Sequence, residues 1–136
     1  MKKYLQLIRV KHWIKNILIF IPIICGRAIN CNNIYIIFLG YIAFNFASSF
    51  IYIINDLKDI EYDKLHDRKK ERPLAKGVIK KHCAIIVAIV MLVLSLSINC
   101  IISGSIINLS SYILLAYIIL NLLYSFYLKN KVIVDV

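Results

Sequence analysis

Three stretches of this chain are apolar over the length of a membrane-crossing helix and hold no charged residue: Ile34–Ile54, Cys83–Ile102 and Ile106–Leu128. The hydrocarbon layer of a bilayer requires about 20 such residues per helix, so each stretch predicts a span. A fourth stretch, over residues 14–29, is shorter, contains Pro22 and carries Arg27 near its end. Its length alone leaves it between a span and a re-entrant segment. Only one interval is long and polar, residues 55–82 between the second and third stretches.

The placement of charge decides the fourth stretch. Lysine and arginine collect on the cytoplasmic side of membrane proteins. Five of the 17 cations lie in residues 1–16, nine lie in 56–82, and Lys129 and Lys131 close the chain, with Arg27 the single exception. For these three segments to share a side, an even number of crossings must separate each pair. Residues 14–29 are therefore expected to cross, with Trp13 anchoring that span at the interface. The fold class predicted is an all-α integral membrane protein with four transmembrane helices, at about 14–29, 34–54, 83–102 and 106–128. The N-terminus and the 55–82 loop are expected on the cytoplasmic side, and the short turns near 27–33 and 103–105 outside. A content of 61% hydrophobic and 18% charged residues, against roughly 45–50% and 25% in soluble domains, agrees. The net charge of +10 belongs to the membrane surface, and no nucleic-acid partner is expected.

The chemistry concentrates in the polar interval. Six of the seven acidic residues lie between Asp56 and Glu71, and the run Asn55–Asp63 has the pattern NDxxDxxxD, continuing directly from the second span. If the helix runs on past Ile54, Asp56, Asp59 and Asp63 fall within an arc of roughly 60°. Ser48 and Tyr52 extend that stripe into the membrane, and Glu61 points elsewhere. Three carboxylates on one face repel one another unless a cation lies among them. Magnesium takes one or two carboxylates and fills its other positions with water and phosphate oxygens, so the stripe suits a magnesium ion that grips a diphosphate. A basic run follows, Lys64, Arg68, Lys69, Lys70, Arg72 and Lys76, where further phosphate oxygens would find donors. Taken singly, each feature is what a solvated loop or a headgroup contact would show. Their order argues for a site, because a loop that only binds lipid gains nothing from six acids.

Other polar residues carry less. Cys25, Cys31, Cys83 and Cys100 are scattered in or beside apolar runs and predict neither a disulfide nor a zinc site. His12, His66 and His82 form no helical metal pair. Asn45, Asn99, Asn108 and Asn121 are expected to join helices by hydrogen bonds.

With these residues in view, the chain resembles the UbiA superfamily of intramembrane prenyltransferases. Asn55–Asp63 with His66, Lys69, Arg72-Pro73, Ala75 and Gly77 is similar to the first aspartate-rich motif of its decaprenyl-phosphate phosphoribosyltransferase branch, NDxxDxxxDxxHxxKxxRPxAxG. Arg9–Asn16 is similar to that branch's RPxxWxKN signature, Ser48–Asp56 to its SSxxYxxND entry, and Tyr124–Lys129 to its YSxxLK segment. Val10, Asp67 and Lys76 depart from the pattern without removing a carboxylate or Arg72. The resemblance implies the N-terminal half of a UbiA-type helical bundle, one partial domain over 1–136, since family members have about nine helices and a second acidic motif after the fourth. A chain of this extent is expected to be truncated and inactive alone, completed by missing C-terminal helices or a second copy.

The same resemblance implies transfer of phosphoribose from phosphoribosyl pyrophosphate to a polyprenyl phosphate at the inner cell membrane, with Mg2+ as cofactor. Asp56, Asp59 and Asp63 would be the catalytic metal ligands. Lys15, Lys69 and Arg72 would contact phosphate, with Asn16, Tyr52 and Asn55 as polar neighbours. Two other readings stay open: a UbiA-type enzyme moving a prenyl group to an aromatic acceptor, and a non-catalytic truncated module binding anionic lipid.

Overall fold

The computed structural model of the protein describes residues 2–21, 34–105 and 108–128. Every regular element among them is helical. Two short helices, α1 (Lys2–Ile8) and α2 (Val10–Trp13), lead into a 3-10 helix, Ile14–Phe20. Three long elements follow: α3 (Ile34–Lys58), α5 (Lys81–Ser103) and α6 (Leu109–Leu123), the last continued by a π-helical turn, Tyr124–Leu128. Between α3 and α5 lie α4 (Ile60–Leu65) and a 3-10 turn, Lys69–Glu71.

Among the described residues, three helices are long and apolar enough to cross a membrane: Ile34–Lys58, Lys81–Ser103 and Leu109–Tyr127. They match the second, third and fourth expected spans, and the protein is a multi-pass membrane protein. Half of the first expected span, residues 22–29, lies outside the described residues; its opening part is the 3-10 helix.

Local chemistry sets the helix ends. Gly104 takes the left-handed conformation, φ 67°, that closes a helix C-terminus at little steric cost, and it stops α5. Asn108 starts α6 by accepting a hydrogen bond from the Ser111 amide at 3.0 Å. No such signal stands at Ile54, so α3 runs four residues into the polar interval. After a single turn residue, Asp59, the backbone continues as α4, with the Asp59 amide on the Asn55 carbonyl (3.0 Å) and the Asp63 amide on the Asp59 carbonyl (2.8 Å). The expected extension of the helix through the acidic motif is therefore present.

α5 lies against α3 through small residues. Ala84, Ala88 and Ser95 are its buried positions, and Ala43 and Ala47 are buried on α3. Small side chains let two membrane helices approach closely, which is where their attraction comes from when lipid is as apolar as leucine. The Ser95 hydroxyl donates to the Ala43 carbonyl at 2.7 Å. Beyond that line, Ile85, Ile86, Ile89, Val90 and Val93 are exposed, as a lipid-facing surface requires. α6 packs Leu114 and Ile118 on Ala47 and Ile51 of α3, with Leu92 and Leu96 of α5 against the same cluster. The close α3–α5 approach predicts that Ala88→Leu overpacks the interface and costs about 1–3 kcal/mol. Thermal unfolding in detergent checks this, with exposed Ile86→Leu as control; equal melting of the two variants would contradict the packing.

A second cluster at the polar end of the bundle ties the loop down. Leu7, Ile53, Ile60, Leu74, Ile79 and Ala84 are buried together, which fastens α1, α3, α4 and the segment before α5 to one another. The Lys58 ammonium donates to the Ser125 carbonyl in the π-helical turn and lies 5.2 Å from the Phe126 ring centre. The ends of α3 and α6 that carry the motif segments thus share one end of the bundle, with residues 2–13. That is the grouping expected from the charge pattern.

Candidate functional site

The site is built on one face of α3. Tyr41, Asn45, Ser49, Tyr52 and Asp56 follow at intervals of four, four, three and four residues, so a polar ladder climbs a helix otherwise made for lipid. The N-terminal segment lies antiparallel along it. The Asn16 amide donates to Asn45 Oδ1 at 2.7 Å, and Tyr41 donates its hydroxyl to the Trp13 carbonyl at 2.7 Å. Trp13 Nε1 donates to Ser49 Oγ at 3.0 Å, and that hydroxyl lies 2.9 Å from the Ile8 carbonyl. Trp13 therefore anchors on α3 itself, about 2.5 turns before Lys58, with its ring edge on Phe46 at 5.7 Å. The two sequence blocks Arg9–Asn16 and Ser48–Asp56 are the two halves of this contact.

At the top of the ladder stands Arg9. Its backbone is left-handed, φ 56° and ψ 43°, a conformation that costs a non-glycine residue energy and that surrounding contacts must hold. Here the contacts are strong. The guanidinium lies 4.7 Å from the Tyr52 ring centre, and its Nη2 pairs with Asp56 Oδ1 at 2.5 Å. His12 touches the same ring, with centroids 5.7 Å apart. Burial first, and then the charges of Arg9 and Lys15, hold the His12 imidazole below the usual histidine range.

From the other side comes Arg72. Its backbone is extended, ψ 143°, as the following Pro73 demands. Behind it Leu74 is buried, the Val78 amide returns to the Pro73 carbonyl at 3.0 Å, and Gly77 makes the left-handed turn, φ 69°. This anchored turn aims the guanidinium between two carboxylates: Arg72 Nη1 lies 3.0 Å from Asp56 Oδ1 and 2.6 Å from Asp63 Oδ2. Asp56 and Asp63 are only 3% and 2% exposed. Two buried carboxylates on one helical face need a cation between them, and in this structure a guanidinium supplies it.

Asn55 and Asp59 complete the motif. Asn55 Oδ1 is buried and accepts no hydrogen bond. Buried acceptors are nearly always satisfied, so such an oxygen marks a place for a donor or a cation. Asp59 is half-buried one turn further on, and Asp63 a turn beyond that. Among the described residues, no three Asp, Glu, His or Cys side chains converge to hold a metal ion unaided.

Of the residues singled out in the sequence, the structure brings together Asp56, Asp63, Tyr52 and Arg72, and stacks Asn55, Asp59 and Asp63 at one-turn intervals. Asn16 lies lower on the ladder. Lys15 is exposed and Lys69 half-buried, and neither makes an ion pair among the described residues. Arg9 is the functional residue that sequence reasoning undervalued. The signal was the five-residue polar ladder ending at Asp56, which calls for a partner segment.

Known proteins share this sequence pattern. The model of the UbiA prenyltransferase family matches residues 19–136. The decaprenyl-phosphate phosphoribosyltransferase of Mycobacterium tuberculosis is 28% identical over 95% of the chain and 43% of its own length. That of Corynebacterium glutamicum is 29% identical over 97% of the chain and 40% of its own length. Nodulation protein NoeC of Azorhizobium caulinodans is 34% identical over 71% of the chain and 32% of its own length. The chain thus spans less than half the length of these curated relatives. Its match to the family model across the apolar helices, the acidic motif and the anchored arginine turn shows that the chain belongs to the UbiA prenyltransferase family.

Proposed function

We propose that the protein is a membrane transferase that moves phosphoribose from phosphoribosyl pyrophosphate to a polyprenyl phosphate, at the cytoplasmic face of the inner cell membrane. The observation that carries this reading is the docking of the Arg9–Asn16 segment on the acidic-motif helix. It joins the two blocks that resemble the phosphoribosyltransferase branch into one site. The likeness to two decaprenyl-phosphate phosphoribosyltransferases over nearly the whole chain supports it.

The donor set fits magnesium. Asn55, Asp59 and Asp63 present oxygens at successive turns, and the Asn55 oxygen has no protein partner. Two carboxylates and an amide are a sufficient protein share for an ion that otherwise binds water and phosphate. When bound, magnesium neutralises charge on the pyrophosphate leaving group. Asp56, grouped from the sequence with the metal ligands, is given a different duty here. Its Oδ1 already accepts from two guanidiniums, so it holds Arg9 and Arg72 in position. Arg72, with Lys69 and Lys15, supplies donors to phosphate oxygens, and Asn16 and Tyr52 hold the segment that carries Lys15. The acceptor's phosphate oxygen attacks the anomeric carbon; the new C–O bond forms as the bond to pyrophosphate breaks, and no protein nucleophile is needed.

The test is a transfer assay with membranes containing the protein, labelled phosphoribosyl pyrophosphate and a polyprenyl phosphate. Label passing into the lipid extract is expected when helices that complete the bundle are present with this chain, and none from this chain alone. Turnover of a prenyl diphosphate with an aromatic acceptor, and none with phosphoribosyl pyrophosphate, would replace this reading with prenyl transfer.

A further inference from the structure

Lys58 is the last residue of α3, and Asp56, Asp59, Glu61 and Asp63 all lie within five residues of it. An ammonium in such company would ordinarily pair with a carboxylate. Among the described residues, Lys58 makes no ion pair. It reaches across the bundle instead, donates to the carbonyl of buried Ser125, and lies 5.2 Å from the Phe126 ring centre. A carbonyl where regular α-helix ends and the face of an aromatic ring both draw a cation. The residues that receive it form the π-helical turn Tyr124–Leu128, a widened geometry that is rare and concentrates at functional places.

This tether stands at a sensitive point. One residue, Asp59, separates α3 from α4, and its backbone (φ −90°, ψ 10°) lies in the sparsely populated bridge region where many active-site residues are found. Such a conformation persists when the surrounding structure holds it. Arg9 and Arg72 close on Asp56 as an arginine clamp and hold one face of the stripe. Lys58 projects from the other side of α3, about 160° around the helix from Asp56. The apolar contact of α3 with α6 lies at Ile51, about two turns lower, and Lys58 extends it to the bend.

We propose that Lys58 is a positioning residue for the acidic motif. By tying the last turn of α3 to α6 it fixes the bend at Asp59, and with it the spacing of the Asn55, Asp59 and Asp63 oxygens toward a divalent cation. This deepens the magnesium reading given above and rests on it. Charge and position act here with opposite signs. Removing a positive charge beside carboxylates tightens cation binding by Coulomb's law alone. Releasing the bend loosens it, as losing the outer support of a metal ligand does.

The experiment uses the protein in phosphatidylcholine nanodiscs with Mn2+ as the probe, its free concentration read by electron paramagnetic resonance. Lys58→Met keeps the length of the stem and loses the ammonium; it should weaken Mn2+ binding roughly tenfold. Lys58→Arg keeps charge and donors and should bind nearly as the unaltered protein does. Hydrogen exchange in residues 59–65 should quicken roughly tenfold in Lys58→Met alone, the worth of one hydrogen bond from a charged group, with residues 8–16 unchanged. Mn2+ bound by the unaltered protein, lost with Asp59→Asn, and held equally or more tightly by Lys58→Met overturns the positioning role and leaves the metal reading standing. Mn2+ uptake that is the same with and without the Asp59 carboxylate overturns both. Loss of exchange protection throughout α3 and α6 in Lys58→Met makes Lys58 a residue of the fold as a whole and overturns the proposal as well.

Discussion

Replacing Asp56 with alanine is expected to release the N-terminal segment from α3 before it affects any other part of the bundle. Asp56 Oδ1 is the carboxylate partner of Arg9 and one of two carboxylate partners of Arg72. Removing one member of a buried ion pair leaves the other uncompensated, at a cost of about 3–5 kcal/mol. The two arginines here are 18% and 26% exposed, so the lower end of that range applies. Arg72 retains Asp63, whereas Arg9 is left on the Tyr52 ring in a left-handed backbone that nothing else repays. An opening of about 3 kcal/mol corresponds to roughly 150-fold faster hydrogen exchange in residues 8–16, with α5 and α6 unchanged. Arg9→Ala should loosen the same segment less, because Asp56 keeps Arg72. Exchange in residues 8–16 that is the same with and without the Asp56 carboxylate would show that the clamp does not hold the segment.

The second large effect is on turnover rather than on order. On the proposed reading, Asp59→Asn removes a charged magnesium ligand and should lower phosphoribosyl transfer by on the order of 100-fold. Asn55→Ala removes a neutral ligand and should raise the magnesium concentration for half-maximal turnover by about tenfold. Neither variant touches the arginine clamp, so hydrogen exchange in residues 8–16 should stay as it is. This separates the two halves of the site: Asp56→Ala disturbs order in residues 8–16 first, and Asp59→Asn disturbs chemistry first. Transfer that proceeds undiminished in EDTA, or with both Asn55 and Asp59 replaced, would remove the metal from the mechanism and leave the clamp intact.

Much of this molecule was legible in the sequence, for identifiable reasons. The helices Ile34–Lys58, Lys81–Ser103 and Leu109–Tyr127 follow from apolar length without charge, a property of composition that needs no tertiary contact. The packing of the N-terminal segment against the 55–82 interval at one end of the bundle agrees with the charge pattern, while Lys129 and Lys131 lie outside the described residues. That Asn45 and Asn99 join helices also follows, since an amide in lipid must find a partner; Asn45 takes Asn16, and Asn99 donates to Ser111 Oγ at 2.8 Å. Asn121 behaves differently and returns to the Tyr117 carbonyl of its own helix. A helix interior offers that carbonyl one turn back; the Asn45 amide uses it too, on Tyr41 at 2.9 Å, while its oxygen meets Asn16, and periodicity does not say whether an asparagine will also reach a second segment.

The division of labour among the carboxylates was not legible in the same way. Helical spacing placed Asp56, Asp59 and Asp63 on one face and required a cation near them, and both deductions rest on backbone geometry and Coulomb repulsion alone. Which cation meets which carboxylate depends on segments distant in the chain. Arg72 arrives because Pro73, Gly77 and the burial of Leu74 and Ile79 fix its turn; Arg9 arrives because Ser49, Asn45 and Tyr41 dock the N-terminal segment. The sequence by itself determined the membrane helices, the acidic stripe and its need for positive charge, because those are properties of single elements. Only the tertiary structure decided that two arginines from opposite sides close on Asp56 and leave Asn55 with an unmet oxygen, because an ion pair is set by where two separately anchored backbones bring their side chains.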